Sequence, residues 1–241
     1  MYKLLTRGNT KTLKGEKYGY MTFILHLAPH TLAGYGNMCP ASTPGCRASC
    51  LNTAGRGGMF KPGESLVFNT NVVQQARLRK TRYFADDRAA FMRDLVEDIC
   101  RAIKYSITRN HIPVFRLNGT SDIIWEKIPV LDYANIFEMF PSVQFYDYTK
   151  IMRKSITKIS NYHVVFSRSE TNKEQVKRAY QLGMNVAVVF DQVPSEFEGI
   201  EVINGDLHDL RFLDKPGTIV GLKAKGRAKK DYTGFVVRIG E

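Results

Sequence analysis

The sequence contains no apolar run approaching the ~20 residues that a membrane-spanning helix needs. Its first residues, MYKLLTRGNTKTLKGEK, hold no apolar stretch of the kind a secretion signal requires. A soluble, cytoplasmic protein without a membrane partner is therefore expected. Histidine is scarce, with five in 241 residues, and none falls in an H-E-x-x-H or paired spacing. No nucleophile elbow or Ser-His-Asp order is visible either, so the common hydrolase signatures are missing. Acidic residues are outnumbered: 23 Asp and Glu against 35 Lys and Arg leave a formal charge of +12. Such an excess attracts polyanions, so nucleic acid or a phosphorylated small molecule is the expected partner class. Apolar residues at 44% and charged ones at 24% are ordinary globular values, which excludes disordered, collagenous and coiled-coil chains.

Cysteine is also rare, but unevenly so. Of four cysteines, Cys39, Cys46 and Cys50 fall within twelve residues, and Cys100 stands apart. A cytosolic chain large enough to bury a core has no need of disulfides. Clustered thiols in that setting bind metal or perform redox chemistry. The spacing is C-x6-C-x3-C, inside Asn37-Met-Cys39-Pro-Ala-Ser-Thr-Pro-Gly-Cys46-Arg-Ala-Ser-Cys50. A structural zinc site wants four ligands and would have to borrow Cys100, His26 or His30. Three thiols on one loop suit three corners of a 4Fe-4S cluster, leaving one iron for another ligand. Pro and Gly between the thiols let the backbone turn its N–H groups toward sulfur, and Arg47 and Arg56 would balance the cluster's charge. Cys100 sits between Ile99 and Ile103 in a predicted helix and reads as a small core residue.

Residues 21–27 read as a strand, followed by an irregular loop over 28–63 that carries the cysteines. Loops of that length without structure of their own are usually functional. Helical periodicity covers 65–82, with apolar Leu66, Val67, Val72, Val73, Ala76 and Leu78. A second helix begins near Asp86, capped by Asp86 or Asp87, and places Phe91, Leu95, Ile99 and Ile103 on one face. Short β-branched or aromatic runs follow at 113–117, 143–146, 163–166, 186–190 and 218–222. A helix over 173–182 ends at Gly183 as its C′ residue. Most of these runs are too apolar for a half-exposed antiparallel sheet, so the strands imply a parallel sheet. The expected fold class is α/β, a partial (β/α)6 TIM-like barrel with a long cysteine-bearing loop after the first strand. An open doubly wound sheet is the alternative. The chain reads as one domain, 1–241, with a basic C-terminal segment over 223–241 that includes a short strand at 235–238.

Each strand turns polar at its C-terminal end, where barrels and doubly wound sheets place their sites. The tails are Asn118-Gly-Thr-Ser-Asp122, Asp147-Tyr-Thr-Lys150, Ser167-Arg-Ser-Glu170, Asp191-Gln192 and Lys223-Ala-Lys-Gly-Arg227. Tyr146, Asp147, Tyr148, Ser167, Arg168 and Glu170 are candidates to line a cavity there. Lys223, Lys225 and Arg227 belong to a run with five basic residues in eight positions. Together with Arg77, Arg79, Lys80 and Arg82 they would form a phosphate-binding surface, sequence-independent and sensitive to salt. Gly55-Arg-Gly-Gly58 is a weaker phosphate candidate, since it lacks the Lys-Ser/Thr of a P-loop.

The Cys-Pro-x5-Cys-x3-Cys-Leu element from Cys39, the Asn52-Thr-Ala-Gly-Arg-Gly run and the Arg116-Leu-Asn-Gly-Thr-Ser-Asp122 strand tail resemble the phage gene product 88 family. That resemblance implies a viral origin and a host-cytoplasmic location. More distantly, the layout is similar to radical S-adenosylmethionine enzymes, in which a three-cysteine loop follows the first strand of a six-stranded partial barrel. Their spacing is C-x3-C-x2-C with an aromatic residue before the last Cys, where this chain has Ser49. The likeness implies S-adenosylmethionine on the open iron, with Asn118, Gly119, Ser121 and Asp122 as cofactor-binding residues and Asp122 as the carboxylate. Two functions are thus expected: an iron–sulfur enzyme, or a nucleic-acid-binding protein in which the cluster, or zinc, is structural. The oligomeric state has no signature in the sequence.

Overall fold

The computed structural model describes residues 3–7, 9, 11–59 and 70–240. The expected end of the cysteine loop and the start of the helix expected at 65 lie outside them. The strands are β1 (Leu5–Arg7), β2 (Tyr20–Leu25), β3 (Ile112–Arg116), β4 (Gln144–Thr149), β5 (Tyr162–Ser167), β6 (Val186–Phe190), β7 (Glu196–Phe197), β8 (Ile200–Asn204), β9 (Ile219–Lys223) and β10 (Val236–Val237). They form one sheet in the order β1-β2-β3-β4-β5-β6-β9-β8-β7, with β10 also on β6. Pairing is parallel from β2 to β8 and antiparallel only at the two ends, β1 on β2 and β7 on β8. The sheet does not close.

Helices accompany only some of the crossovers. Between β2 and β3 lie α1 (Pro44–Ala48), α2 (Val72–Asp86) and α3 (Arg88–Ile107), and between β5 and β6 lies α5 (Lys173–Gln181). The β3–β4 connection has only a 3-10 turn and the four-residue α4 (Ile136–Met139), and β4–β5 only a 3-10 turn, Lys154–Lys158. Regular strand–helix alternation is therefore interrupted in the middle of the chain. The helix ends follow local chemistry: Asp87 caps α3 by accepting the Ala90 N–H at 2.9 Å, and Gly183 closes α5 at φ +71°.

β5 and β10 share one edge of β6. Phe166 and Ser167 pair with Val186 and Ala187, and Val236 and Val237 take up Val189 and Phe190 beyond them. The C-terminal segment thus enters the sheet where β5 leaves it.

Strand alternation divides the sheet into two faces. One carries Met21, Phe23, Leu25, Phe115, Phe145, Val164, Phe166, Val188 and Phe190, which form one cluster with Trp125 and with Phe84, Phe91, Leu95 and Ile99 of α2 and α3. Cys100 does not join them; it is exposed, one residue off the buried stripe, so the core role expected for it is wrong. The other face carries Val114, Tyr146, Val165, Ala187 and Val220 in small clusters. Among them Asp209, from the β8–β9 connection, binds Lys11 at 2.9 Å and Arg116 at 2.8 Å, and accepts hydrogen bonds from Tyr146 and Tyr148 at 3.3 and 3.1 Å.

Candidate metal centre

After β2 the chain runs back past the C-terminal ends of the parallel strands, and the three clustered cysteines belong to this stretch. Cys39 donates its thiol hydrogen toward Thr120 O at 3.6 Å and receives the backbone N–H of His30. Burial pushes the Cys39 thiol up to about 12, and the charges of Asp122, Cys50 and Cys46 act in the same direction. Cys50 accepts the Asn52 N–H at 3.4 Å. Burial raises its pKa too, with Cys46 adding to the rise and Arg77 and Lys150 opposing it. The three sulfurs therefore lie within electrostatic reach of one another, and two already take backbone N–H groups.

Cys46 is carried by α1, whose start is fixed from several sides. Pro44 occupies the first turn and the Thr43 hydroxyl oxygen accepts the Cys46 N–H at 3.2 Å. Glu170, from the β5 tail, takes the Thr43 O–H and the Gly45 N–H, each at 2.8 Å. Gly45 has to be glycine, because a Cβ there would run into Thr233 Oγ1 and Phe235 Cβ. Cys46 itself packs against the small cluster formed by Ala224, Ala228, Phe235 and Val236. Glu170 is thus a clamp on the cysteine helix rather than a cavity-lining group.

The guanidinium beside the thiols is not the one expected. Arg47 and Arg56 are exposed. Arg77 is 9% exposed and donates from Nη1 to Asn52 O at 3.0 Å and Asn52 Oδ1 at 2.7 Å, while its buried Nε has no partner. Burial pulls its pKa down, and Cys50 is the charge that holds it up. Among the described residues it makes no ion pair with a carboxylate. Lys80 is buried as well, donating to Leu4 O, and burial draws its pKa down to about 8. The surface expected from four basic residues of α2 is therefore reduced to Arg79 and Arg82, which are exposed. The spacing of Gln74, Arg77, Thr81 and Phe84, all buried, marks one helical face, and that periodicity was the signal available for Arg77. The glycine-rich run is held from the same helix: Gln74 Nε2 donates to Gly57 O at 2.6 Å, and Asn71 Nδ2 donates to Arg56 O at 2.9 Å.

The β3 tail is wired into its neighbours. Asn118 Oδ1 accepts from Ser121 Oγ, Ile123 N and Trp125 Nε1, at 2.9, 2.9 and 3.1 Å. A Cβ at Gly119 would come within 2.6 Å of Ile24 and 2.7 Å of Leu25 O, so this glycine lets the tail lie flat on β2. Asp122 accepts from Thr149 Oγ1 at 2.7 Å and Lys150 N at 2.8 Å, and burial raises its pKa despite both bonds. The polar groups proposed for a cofactor are thus committed to the protein, apart from the charge that Asp122 projects on Cys39. Asp147, wholly buried, accepts from Asn118 N at 2.8 Å and from Tyr162 OH at 3.2 Å, and burial pushes its carboxyl up to about 7. His26 is drawn down to about 3, first by burial and then by Arg77, Arg116 and Lys80, and so is neutral.

Lys223, Lys225, Arg227, Lys229 and Lys230 are all exposed. Lys225 pairs with Asp206 at 2.6 Å. The 3-10 turn Gly226–Lys230 lies against the 3-10 turn Leu51–Thr53, with the Cβ position of Gly226 3.8 Å from that of Ala54. The basic segment and the cysteine loop are therefore neighbours, although they are far apart in sequence.

Among the described residues no three His, Cys, Asp or Glu side chains surround one point closely enough to hold a single metal ion. No helix of the described residues is long and apolar enough to cross a membrane. No curated protein and no solved structure matches the chain. The Gene product 88 family matches it over residues 3–239. With nearly its whole length inside that match, the chain belongs to the Gene product 88 family.

Proposed function

We propose that this is an iron–sulfur protein that holds one 4Fe-4S cluster on Cys39, Cys46 and Cys50, beside the C-terminal ends of its parallel strands. The observation that carries the reading is Arg77. A buried guanidinium with no carboxylate costs several kcal/mol, in order of magnitude, unless an anion compensates it. Among the described residues Cys50 is the anion at hand, and only as a thiolate, which is the form that binds iron. The N–H groups of His30 and Asn52 on Cys39 and Cys50 favour the same charged state. A cluster spreads its thiolates over separate corners, so it does not need them around one ion. When bound, it supplies one-electron chemistry and, with three protein thiolates, an iron open to a further ligand.

The partial-barrel reading belongs with this proposal. The uninterrupted parallel order from β2 to β6, with polar tails at one end, favours it. On that reading S-adenosylmethionine is the candidate ligand of the open iron, with Asp122 the carboxylate nearest to Cys39 in charge. The exposed basic segment against the cysteine loop favours a second reading, a nucleic-acid-binding protein in which the cluster, or zinc, is structural.

Anaerobic reconstitution with iron and sulfide tests the proposal. One cluster's complement of iron and sulfide should load, and Cys39→Ala, Cys46→Ala and Cys50→Ala should each abolish it, while Cys100→Ala loads normally. Arg77→Met should load poorly. Zinc retained through purification with no uptake of iron would overturn the cluster. A shift in the paramagnetic spectrum of the reduced cluster on adding S-adenosylmethionine selects the enzyme; an unchanged spectrum selects the binding protein.

A further inference from the structure

The basic segment ends in an aromatic ring held in an unusual way. Tyr232 is 79% exposed, the most exposed of the large apolar and aromatic side chains among the described residues. Its ring is not loose, because the Arg238 guanidinium stands 4.4 Å from the ring centroid. That guanidinium is itself fixed: Nη2 donates to Lys229 O at 3.1 Å and to Asp231 O at 2.9 Å, and Nη1 lies 3.9 Å from Asp191 Oδ2. Asp231 is buried and binds Thr233 Oγ1 at 2.8 Å and Val236 N at 3.0 Å, which ties this turn to β10. One face of Tyr232 therefore rests on a pinned cation, and the rest of the ring meets solvent.

Along residues 223–232, the segment that carries the ring, every exposed charge is a cation. Lys223, Arg227, Lys229 and Lys230 are exposed and make no ion pair among the described residues; only Lys225 is matched, by Asp206. The Asp231 carboxylate, the nearest acid in sequence, is spent on the turn. A flat, backed aromatic ring on a segment with four exposed, uncompensated cations suits the stacking of an unpaired base and the neutralising of neighbouring phosphates. A duplex offers no free base face to such a ring.

We propose that residues 223–232 form a single-stranded nucleic-acid ledge, on which Tyr232 stacks one base while Lys223, Arg227, Lys229 and Lys230 take the flanking phosphates. The inference rests on the nucleic-acid reading of the basic segment and is independent of the cluster. Because Cys46 packs against the small cluster that Ala224 and Ala228 of this segment form with Phe235 and Val236, a strand lying on the ledge passes the wall of the cysteine site.

The test is fluorescence anisotropy of labelled dT20, U20 and a 20-base-pair duplex with the full chain, titrated across a range of NaCl. The two single strands should bind more tightly than the duplex, and their ratio shows whether RNA or DNA is preferred. Tyr232→Ala should weaken single-strand binding by roughly 5- to 150-fold, the weight of one base–aromatic stack, and leave the salt slope unchanged. Tyr232→Phe should restore most of it. Replacing Arg227, Lys229 and Lys230 together by Ala should flatten the slope of log K against log salt by about 2. Equal affinity for duplex and single strand, with Tyr232→Ala silent, would overturn the ledge and leave a plain polyanion surface. Failure of all three probes to bind at low salt overturns both.

Discussion

On one face of the sheet Phe23, Phe115, Phe145, Phe166 and Phe190 lie in a cluster shared with the side chains of α2 and α3; on the other, Arg116, Tyr146 and Tyr148 converge on Asp209. The first face is held by area removed from water, which is additive and forgiving of detail. The second is held by a closed set of partners, each of which becomes a liability when another is removed. Lys11 reaches Asp209 from the N-terminal segment, Arg116 from β3, and Tyr146 and Tyr148 from β4. One carboxylate thereby ties three separate parts of the chain together.

Substitutions on the two faces should separate these roles. One of the two largest effects is expected at Asp209, which is buried: Asp209→Ala should cost about 3–5 kcal/mol in urea unfolding, because Lys11 and Arg116, both largely shielded from water, lose the carboxylate they share. Asp209→Leu should be no better, although it fills more space. Phe115→Ala should also cost about 3–5 kcal/mol, but Phe115→Leu should recover a large part of it, since only volume is at stake there. If Asp209→Leu rescued Asp209→Ala, the distinction between the faces would be lost.

A smaller and pH-dependent effect is expected at Asp147. Its carboxyl is raised from 3.8 to about 7 by burial, so the fold prefers the protonated form. Its contribution to stability is fully present below the unfolded pKa near 4 and is lost as pH rises through about 7. Asp209 has the opposite sign: Lys11 and Arg116 hold its carboxyl below the usual range despite burial, so its contribution is present above about pH 4 and is lost in stronger acid. Urea midpoints between pH 4 and 8 should therefore fall more steeply for the wild type than for Asp147→Asn. Parallel curves would mean that Asp147 does not titrate in this window. The smallest effect belongs to Lys215, whose pair with Glu201 at 2.7 Å is exposed on both sides; Lys215→Ala should change stability by less than about 0.5 kcal/mol.

The apolar face was legible in the sequence and the charged face was not, for a physical reason. Strands β2 to β6 and β9 announce themselves as β-branched and aromatic runs, and α3 by apolar residues four apart. Lys11 and Asp209 lie in irregular segments where no periodicity tells a buried charge from a solvated one. The β7–β8 hairpin was missed because its two-residue turn is Glu198-Gly199 and not the usual Asn-Gly, although both residues have positive φ, +51° and +76°. Strand β1 was missed because it has only three residues. At the candidate site the cysteines, the basic segment and the polar strand tails could be picked out beforehand, but not their neighbours. Arg77 was assigned to a surface because arginine usually lies there; it is buried because the loop over it offers backbone oxygens, such as Asn52 O, that need donors. Glu170 was placed near the site without its task, since nothing in the sequence links it to Gly45, 125 residues away.

The support of Gly45 by Thr233 and Phe235 sets an order on biosynthesis. The ribosome makes the thiol-bearing helix long before the wall that Thr233 and Phe235 form against it. Throughout elongation those sulfurs emerge without the surface that buries them, so metal supplied during translation meets an unfinished cradle. The packed surroundings of α1 are on this account complete only once residues 233–235 have been made.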